Sequence, residues 1–379
     1  MTRREYVKTV KIMSVFGTRP EAIKMAPLVK ALETTPWIDA VVCVTAQHRE
    51  MLDQVLELYS IKPDYDLNIM KQNQKLSEIT SNILIGMETI LDDVKPDMVL
   101  VHGDTTTTFA ASMAAFNKGI KVGHVEAGLR SFNKWSPYPE EMNRTLTTRL
   151  SDLHFAPTTV NHDNLVYERI APESIVVTGN TVIDALLMMI EENYRFESDV
   201  LNGILESHQK LVLVTAHRRE NLGDPMVNIF GAIKDLADAH PEITVVYPIH
   251  MNPKVRDIAN SILQNHPRIH LIEPLSYKPF ANLMARSYMI MTDSGGMQEE
   301  APALKKPVLV LRTETERPEG VEAGTLLMAG VEKQRIYDLA HQLLTDEEMY
   351  NCMANTVNPY GDGKASERII QAIGKYFGI

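Results

Sequence analysis

The sequence predicts an α/β fold built as two Rossmann-like, doubly wound domains, and three observations carry that expectation. Short apolar, β-branched runs alternate with longer helical patterns almost from end to end, as βαβ units and parallel sheets covered on both faces require. The series breaks once, near residues 190–210, where Glu191-Glu192-Asn193-Tyr194-Arg195 and the polar stretch to Lys210 show no strand pattern. The chain also has 379 residues, more than one ordinary core accommodates. The first domain is therefore expected over 1–190, with the second beginning at 191.

In order, the first half supplies expected strands at 10–16, 41–45, 98–102, 122–125 and 153–155. The second supplies them at 211–215, 244–247, 270–272, 289–291 and 308–311. Helical stretches between them include 50–59, 79–91 and 228–239. No strict GxGxxG follows a strand, so the dinucleotide fingerprint is missing. Ligands of open α/β sheets sit beyond the carboxyl ends of the strands, and two facing sheets make a cleft there. The strand ends are the places to search.

Composition is that of a soluble globular protein, 44% hydrophobic and 23% charged. Cys43 and Cys352 lie in opposite halves of the chain, which gives no disulfide framework and no CxxC metal knuckle and points to a reducing cytoplasm. The basic start MTRREYVKTVKIMSVFGTRPE carries too short an apolar run for a signal peptide, and no segment has the apolar length of a membrane span. A net charge of −11 argues against nucleic acid as a partner. An anionic ligand would need cations gathered locally.

The strand ends supply such cations. The first expected strand runs into Gly17-Thr18-Arg19-Pro20-Glu21, with Lys24 one turn into the following helix, and cations at a helix N-terminus make an anion site. VHGDTTTT then ends a strand on Asp104, and VGHVEAGLRS ends the next on Glu126, with His102 and His124 two residues before each acid. Asp is a good helix N-cap, which is the ordinary explanation for Asp104 but not for Glu126. Acids brought together in a dry site push each other's pKa up, which suits proton transfer. In SPYPEEMNRTLTTRL, Arg144 follows Glu140 by one turn; the ordinary reading is an i,i+4 surface pair worth about 0.3–0.5 kcal/mol.

The second half repeats the idea. LVLVTAHRREN puts His217, Arg218, Arg219 and Glu220 after a strand. MIMTDSGGMQEEAPAL runs strand, loop, helix, so that Ser294-Gly295-Gly296 can offer backbone N–H groups to a diphosphate, with Glu300 one turn on as an acceptor for a ribose diol. Arg317 lies near a further strand end.

Three rival readings fit parts of this pattern. His102, Asp104, His124, Glu126, His217 and His250 would suffice for a two-metal phosphoesterase, but there is no HExxH and no further ligand beside HGD. A nucleotide-sugar glycosyltransferase fits the architecture, yet its acceptor needs one base where Asp104, Glu126, Glu140 and His217 all compete. A nucleotide-sugar sensor would have no use for four proton-transfer groups.

Taken in order, VFGTRPEAIKMAPLV, VTAQHREML, DLNIM, VHGDTTTT, VGHVEAGLRS, PEEMNR, TGNTVIDAL, HRREN, MTDSGGMQEEAP, TERPEG and NPYGDGKASERI resemble the non-hydrolysing UDP-N-acetylglucosamine 2-epimerases of bacteria. The resemblance runs from about residue 10 to about residue 375. It implies a two-domain fold of the glycosyltransferase-B type with UDP-sugar in the interdomain cleft. It also implies a second domain over 191–364, with residues 365–379 returning to the first.

The implied reaction interconverts UDP-GlcNAc and UDP-ManNAc through 2-acetamidoglucal, feeding surface polysaccharide synthesis in the cytoplasm, with neither cofactor nor metal and as a homodimer. Releasing ManNAc and UDP, as a hydrolysing epimerase does, is the alternative outcome. On matching positions the catalytic set is Asp104, Glu126, Glu140, Arg144 and His217. The UDP-binding set is Arg19, Lys24, Leu275, Phe280, Ser294, Gly295, Gly296, Glu300 and Arg317, shared with Asp104, Glu126 and His217. Some members bind a second, activating UDP-GlcNAc, for which the resemblance points to Gln47, Glu50 and Arg218. Glu50 and Asn73 stand where such members are expected to carry a neutral amide and a cation, and an added acid beside a diphosphate is unfavourable.

Overall fold

The computed structural model describes residues 9–46, 49–71, 74–207 and 209–379. The chain divides into two compact units, one holding the chain up to Ala185 together with Tyr360–Ile379, the other Leu186–Pro359.

The strands of the first unit are β1 (Val10–Phe16), β2 (Ile38–Val44), β3 (Tyr65–Asp66), β4 (Met98–His102), β5 (Lys121–Val125), β6 (Leu153–Ala156) and β7 (Ile175–Val177). Among the described residues they form one seven-stranded parallel sheet, in the order β3-β2-β1-β4-β5-β6-β7. Its inner strands are covered on both faces. Ile12, Met13, Val15 and Phe16 of β1 and the whole apolar run Met98 to Val101 of β4 are buried, which is why they read as mostly apolar runs rather than alternations. Ile83, Met87 and Leu91 from the helix Leu76–Val94 pack with Val99, Val101 and the alanines Ala110, Ala111, Ala114 and Ala115 of the helix Thr106–Asn117.

The chain order reverses between β1 and β4, so the loops leaving their carboxyl ends diverge at a topological switch point. Glu21 ties those two loops together. In the helix Arg19–Thr34, Thr18 and Glu21 form a capping box. The same buried carboxylate accepts from the N–H groups of Gly17 (3.1 Å) and Thr18 (2.8 Å) and from the hydroxyls of Thr105 (2.7 Å) and Thr108 (3.1 Å). Burial holds its pKa above the ordinary carboxylate value against those hydrogen bonds. Gly17 must be glycine, because a Cβ there would lie 2.0 Å from Thr45 Oγ1 and 2.7 Å from Thr107 Oγ1.

The strands of the second unit are β8 (Lys210–Thr215), β9 (Ile243–Pro248), β10 (Ile269–Ile272), β11 (Met289–Thr292), β12 (Val308–Val310) and β13 (Leu326–Met328). Among the described residues they make a six-stranded parallel sheet, β10-β9-β8-β11-β12-β13, with its own switch point between β8 and β11. Its core joins Val212 and Val214 of β8, Val245 and Tyr247 of β9, and Ile229, Phe230, Ile233 and Leu236 of the helix Asp224–Ala239. The sequence prediction of an α/β fold with two Rossmann-like parallel sheets is what the structure has.

Ten strands were expected near where they occur, and β3, β7 and β13 were not. These three are edge strands of 2, 3 and 3 residues, too short to stand out as strands. The interruption near 190–210 contains a short helix, Asp199–Glu206, capped by Ser198. The closing helix Ala365–Phe377 belongs to the first unit, where Asp184 accepts from the N–H groups of Ala365 (3.2 Å) and Ser366 (2.8 Å). Among the described residues, no helix is long and apolar enough to cross a membrane.

Candidate active site

In the first unit, β4 and β5 run in register to their ends, His102 opposite Val125, so the residues beyond them emerge side by side. Gly103 turns the chain with φ +67° and donates its N–H to Val125 O at 2.8 Å. Glu126 itself sits at φ +61°, a left-handed backbone that costs a non-glycine residue about 1 kcal/mol or more. Ladder hydrogen bonds on either side hold it there, Gly103 N–H to Val125 O and Ala127 N–H to Phe155 O at 3.0 Å. The result aims the Glu126 carboxylate at Lys24, with which it forms an ion pair. Asn180 Nδ2 donates to the same oxygen at 2.9 Å, and His102 Nε2 stands 3.8 Å from it.

Asp104 does not cap the adjoining helix; Thr105 does, accepting from Thr108 N–H at 3.1 Å. The ordinary explanation for Asp104 therefore fails, and its carboxylate is left for other work. Arg144 Nη2 lies 3.2 Å from its Oδ2, and Asn143 Nδ2 donates to its carbonyl at 3.0 Å. Both come from the first turns of the helix Glu140–Leu150, which thereby clamps the Asp104 loop. Burial pushes the Asp104 carboxyl up to about 6; Arg144 pulls it down and Glu126 pushes it further up. Desolvation, more than the expected repulsion between acids, raises it.

The expected surface pair of Glu140 with Arg144 is not what forms. Arg144 is buried and touches Glu140 only through the backbone, Nε to the carbonyl at 3.4 Å. Its ionic partners are Asp104 and Glu141, whose Oε2 lies 3.5 Å from Nε. Glu141 in turn accepts from the N–H groups of Ser131 (3.0 Å) and Phe132 (2.9 Å), which fixes the approach to the helix. Glu140 is half-buried and close enough to raise Asp104's pKa. Arg19 is exposed at the start of its helix, while Lys24 points inward to Glu126.

The histidines are set apart by burial. His124 is held neutral, its pKa lowered to about 3, and donates Nε2–H to Gly103 O at 2.7 Å. His102 is lowered to about 4, chiefly by burial. Among the described residues no group of three or more His, Cys, Asp and Glu side chains is arranged to hold a metal ion.

In the second unit, β8 and β11 end together, Thr215 opposite Thr292. Asp293, fully buried, organises the two turns beyond these strands. Its Oδ2 accepts from the N–H groups of His217 and Arg218 (both 2.8 Å) and from Asn221 Nδ2 (3.1 Å). Its Oδ1 lies 3.5 Å from His217 Nδ1, and Arg218 Nε donates to its carbonyl at 3.2 Å. His217 stacks on His250 with centroids 5.0 Å apart, and burial lowers its pKa.

Ser294 precedes the helix Gly295–Ala303 and makes no side-chain cap, so the helix N-terminus is presented bare. A Cβ at Gly295 would meet nothing nearer than Arg218 Nη2 at 3.7 Å, and one at Gly296 nothing nearer than Glu300 Oε2 at 3.8 Å. Unlike Gly17, these glycines are not demanded by neighbouring protein atoms, which fits close approach by something else. Glu300 receives Tyr277 O–H at 2.8 Å. Arg317 is held by Glu299 through an ion pair and by the Glu316 carbonyl at 3.0 Å. Leu275 and Phe280 are half-buried around the helix Tyr277–Ala285. Glu50 is exposed at the start of the helix Arg49–Leu58, and Gln47 and Asn73 lie outside the described residues.

Each unit thus presents an acid and cation set at its switch point, two carboxylates paired with Lys24 and Arg144 in the first and a bare helix N-terminus with cations in the second. The family model for UDP-N-acetylglucosamine 2-epimerase matches residues 30–374. The chain belongs to the UDP-N-acetylglucosamine 2-epimerase family. A Bacillus subtilis UDP-N-acetylglucosamine 2-epimerase is 57% identical over 372 residues, covering 98% of this chain and 97% of its own. An S. aureus protein solved with UDP is 54% identical with a TM-score of 0.85, covering 98% of this chain and 97% of its own. A UDP-GlcNAc 2-epimerase from Neisseria meningitidis solved with UDP-GlcNAc is 52% identical with a TM-score of 0.82, covering 97% and 100%.

As an epimerase the chain is an isomerase, and several residues that organise its two sets had escaped the sequence reading. Asp293 was hidden inside the TDSGG turn, Asn143 and Glu141 beside Arg144, and Glu299 beside Glu300. Asn180 sits in the TGNT turn after β7, a two-sided polar break that could have flagged it. In the epimerase's first unit, the pairing of Lys24 with Glu126 joins two residues 102 apart in sequence, which no local pattern reveals.

Proposed function

We propose that this epimerase interconverts UDP-GlcNAc and UDP-ManNAc without releasing free sugar. Ser294–Gly296, Arg218 and Arg317 of the second unit supply groups for a diphosphate, and Asp104 and Glu126 of the first supply groups for a sugar. Asp104 removes the C2 proton of UDP-GlcNAc while the C1–O bond breaks, the electron pair leaving with UDP, and 2-acetamidoglucal forms. Glu126 then returns a proton to C2 on the opposite face as the UDP oxygen re-adds to C1. In the reverse direction the two acids exchange roles.

The observation that carries this reading is the different setting of the two acids. Asp104 titrates near 6 beside Arg144 and is therefore mostly ionised at neutral pH, ready to accept a proton. Glu126 is balanced between Lys24, Asn180 and His102. A diphosphate competes for the Lys24 ammonium, and Glu126 relieved of that cation takes up a proton more readily. The departing UDP is stabilised by the helix N-terminus and the arginines. His217, whose Nδ1 faces Asp293 Oδ1 at 3.5 Å, follows the strand paired with the one that leads into that helix. The complexes of the relatives with UDP and with UDP-GlcNAc support the ligand class. The product, an activated amino sugar, suits a donor for surface polysaccharide assembly.

Proton NMR of UDP-GlcNAc incubated with the protein in D2O with chelator tests the proposal. The expected result is UDP-ManNAc carrying deuterium at C2. Free ManNAc with UDP would establish hydrolysis instead, and an unchanged spectrum would remove the reaction.

A further inference from the structure

Glu126 has partners suited to its ionised form: Lys24 and Asn180 Nδ2 both lie on Oε2 and both present hydrogens. A residue that must hold a proton and then deliver it also needs an acceptor for that proton. His102 Nε2 faces the same oxygen from the end of β4 at 3.8 Å. An N–H facing a carboxylate would close to about 2.7–2.9 Å as a charge-assisted hydrogen bond. At 3.8 Å no hydrogen bond joins Nε2 to the carboxylate, so nothing there commits Nε2 to carrying the ring's hydrogen.

His102 differs from the other buried histidines of this sheet. His124 Nε2 is committed to Gly103 O at 2.7 Å, and His154 Nε2 to Thr148 O at 3.0 Å. Neither ring nitrogen of His102 has a hydrogen-bond partner among the described residues, although the side chain is only 3% exposed. An unpaired polar group buried this deeply costs about 1–3 kcal/mol, which a purely structural site would shed by substitution. The charged groups facing it are Glu126 and Lys24, with His124 also close. Burial keeps the ring neutral at neutral pH, so that one nitrogen is always bare.

We propose that His102 is a positioning residue for Glu126: its bare Nε2 accepts a hydrogen bond from the Glu126 carboxyl whenever that carboxyl carries the proton destined for C2. His102 gains and loses no proton itself. When Glu126 delivers its proton the acceptor bond is lost, and the carboxylate returns to Lys24 and Asn180. The inference rests on the reading of Glu126 as the proton donor to UDP-ManNAc formation.

The test compares the intact protein with His102→Phe and His102→Gln by NMR in D2O, with UDP affinity by calorimetry and thermal melts on each. His102→Phe is expected to keep UDP affinity within about twofold and to lose about tenfold or more in kcat, less than the 10²–10⁴ typical of a proton-transfer residue itself. Without its acceptor Glu126 gives up its proton at lower pH, so the high-pH limb of kcat moves down. His102→Gln, whose amide oxygen can accept, recovers part of kcat and moves the limb back. Wild-type kcat and limb in His102→Phe would overturn the proposal. So would a loss in both variants accompanied by lower melting temperature and weaker UDP binding, which marks packing alone. Wild-type protein that introduces no deuterium at C2 would instead overturn the reading of the reaction beneath it.

Discussion

Arg144 Nη2 lies 3.2 Å from Asp104 Oδ2, and this contact, rather than the helical pair of Arg144 with Glu140, ties the helix Glu140–Leu150 to the end of β4. Arg144 pulls Asp104's pKa down from where burial would put it, and the balance leaves the group titrating near 6. As the proposed base for UDP-GlcNAc, Asp104 must be ionised. The pH profile of kcat/KM should therefore rise through about 6 as pH increases. Removing the Arg144 cation raises Asp104's pKa, so the residual activity of Arg144→Ala should show that limb displaced to higher pH. Arg144→Lys should leave it nearly in place. A limb that does not move in Arg144→Ala would separate Asp104 from the rate.

The raised pKa also links catalysis to stability. Asp104 titrates near 3.8 in the unfolded chain and near 6 in the fold, so between those values the folded state holds its proton more tightly. Folding is favoured by this group at low pH, and the advantage is lost as pH rises through about 6. Asp104→Asn removes the ionisation. It should be more stable than wild type at pH 7 by about 1–3 kcal/mol, with the gap closing towards pH 4. The same variant should lose turnover by orders of magnitude while UDP affinity stays close to unchanged. Denaturant melts at several pH values, set beside NMR turnover, check both halves of this.

The inner strands were legible because burial on both faces leaves a mostly apolar run in β1, β4 and β8. The edge strands β3, β7 and β13 span only 2, 3 and 3 residues, too few to stand out from the loops around them. Asp104, Glu126 and the Ser294–Gly296 turn were visible because a carboxylate or a glycine pair at the end of an apolar run breaks the pattern. Arg144's true partners were not, since Asp104 lies forty residues away and only the fold closes that distance. Glu21 reads locally as a capping-box residue, and its hold on Thr105 and Thr108 across the switch point cannot be inferred from local spacing.

The residues proposed for uridine and diphosphate should separate in mutant kinetics from those proposed for proton transfer. Arg317→Ala and Glu300→Ala should weaken UDP binding about tenfold or more, near 1.4 kcal/mol each, before any effect on chemistry at saturation. Glu299 makes no claim on ligand by itself but holds Arg317, so Glu299→Gln should weaken UDP binding in the same direction and by less. Calorimetric titration with UDP decides it. Unchanged affinity in Arg317→Ala would put the nucleotide elsewhere.

Asp293 offers the sharpest separation of support from chemistry. Its Oδ2 satisfies three donors, the N–H groups of His217 and Arg218 and the Asn221 amide, while Oδ1 faces His217 Nδ1 at 3.5 Å. Asp293→Ala strands all three donors in a buried site, and each unsatisfied group costs about 1–3 kcal/mol. That variant should melt well below wild type. In Asp293→Asn the amide oxygen can still accept from the three donors, so stability should be largely retained. Its amide nitrogen, however, now faces His217 Nδ1 and demands an acceptor there, which reverses the imidazole tautomer that the carboxylate favours. The removal of a negative neighbour should also lower His217's pKa further, since Asp293 is what raises it against burial. Asp293→Asn should therefore fold, bind UDP and turn over at least tenfold more slowly, with nitrogen NMR showing the proton of His217 moved from Nδ1 to Nε2. Wild-type turnover in a variant whose tautomer has demonstrably reversed would take the orientation of His217 out of the mechanism.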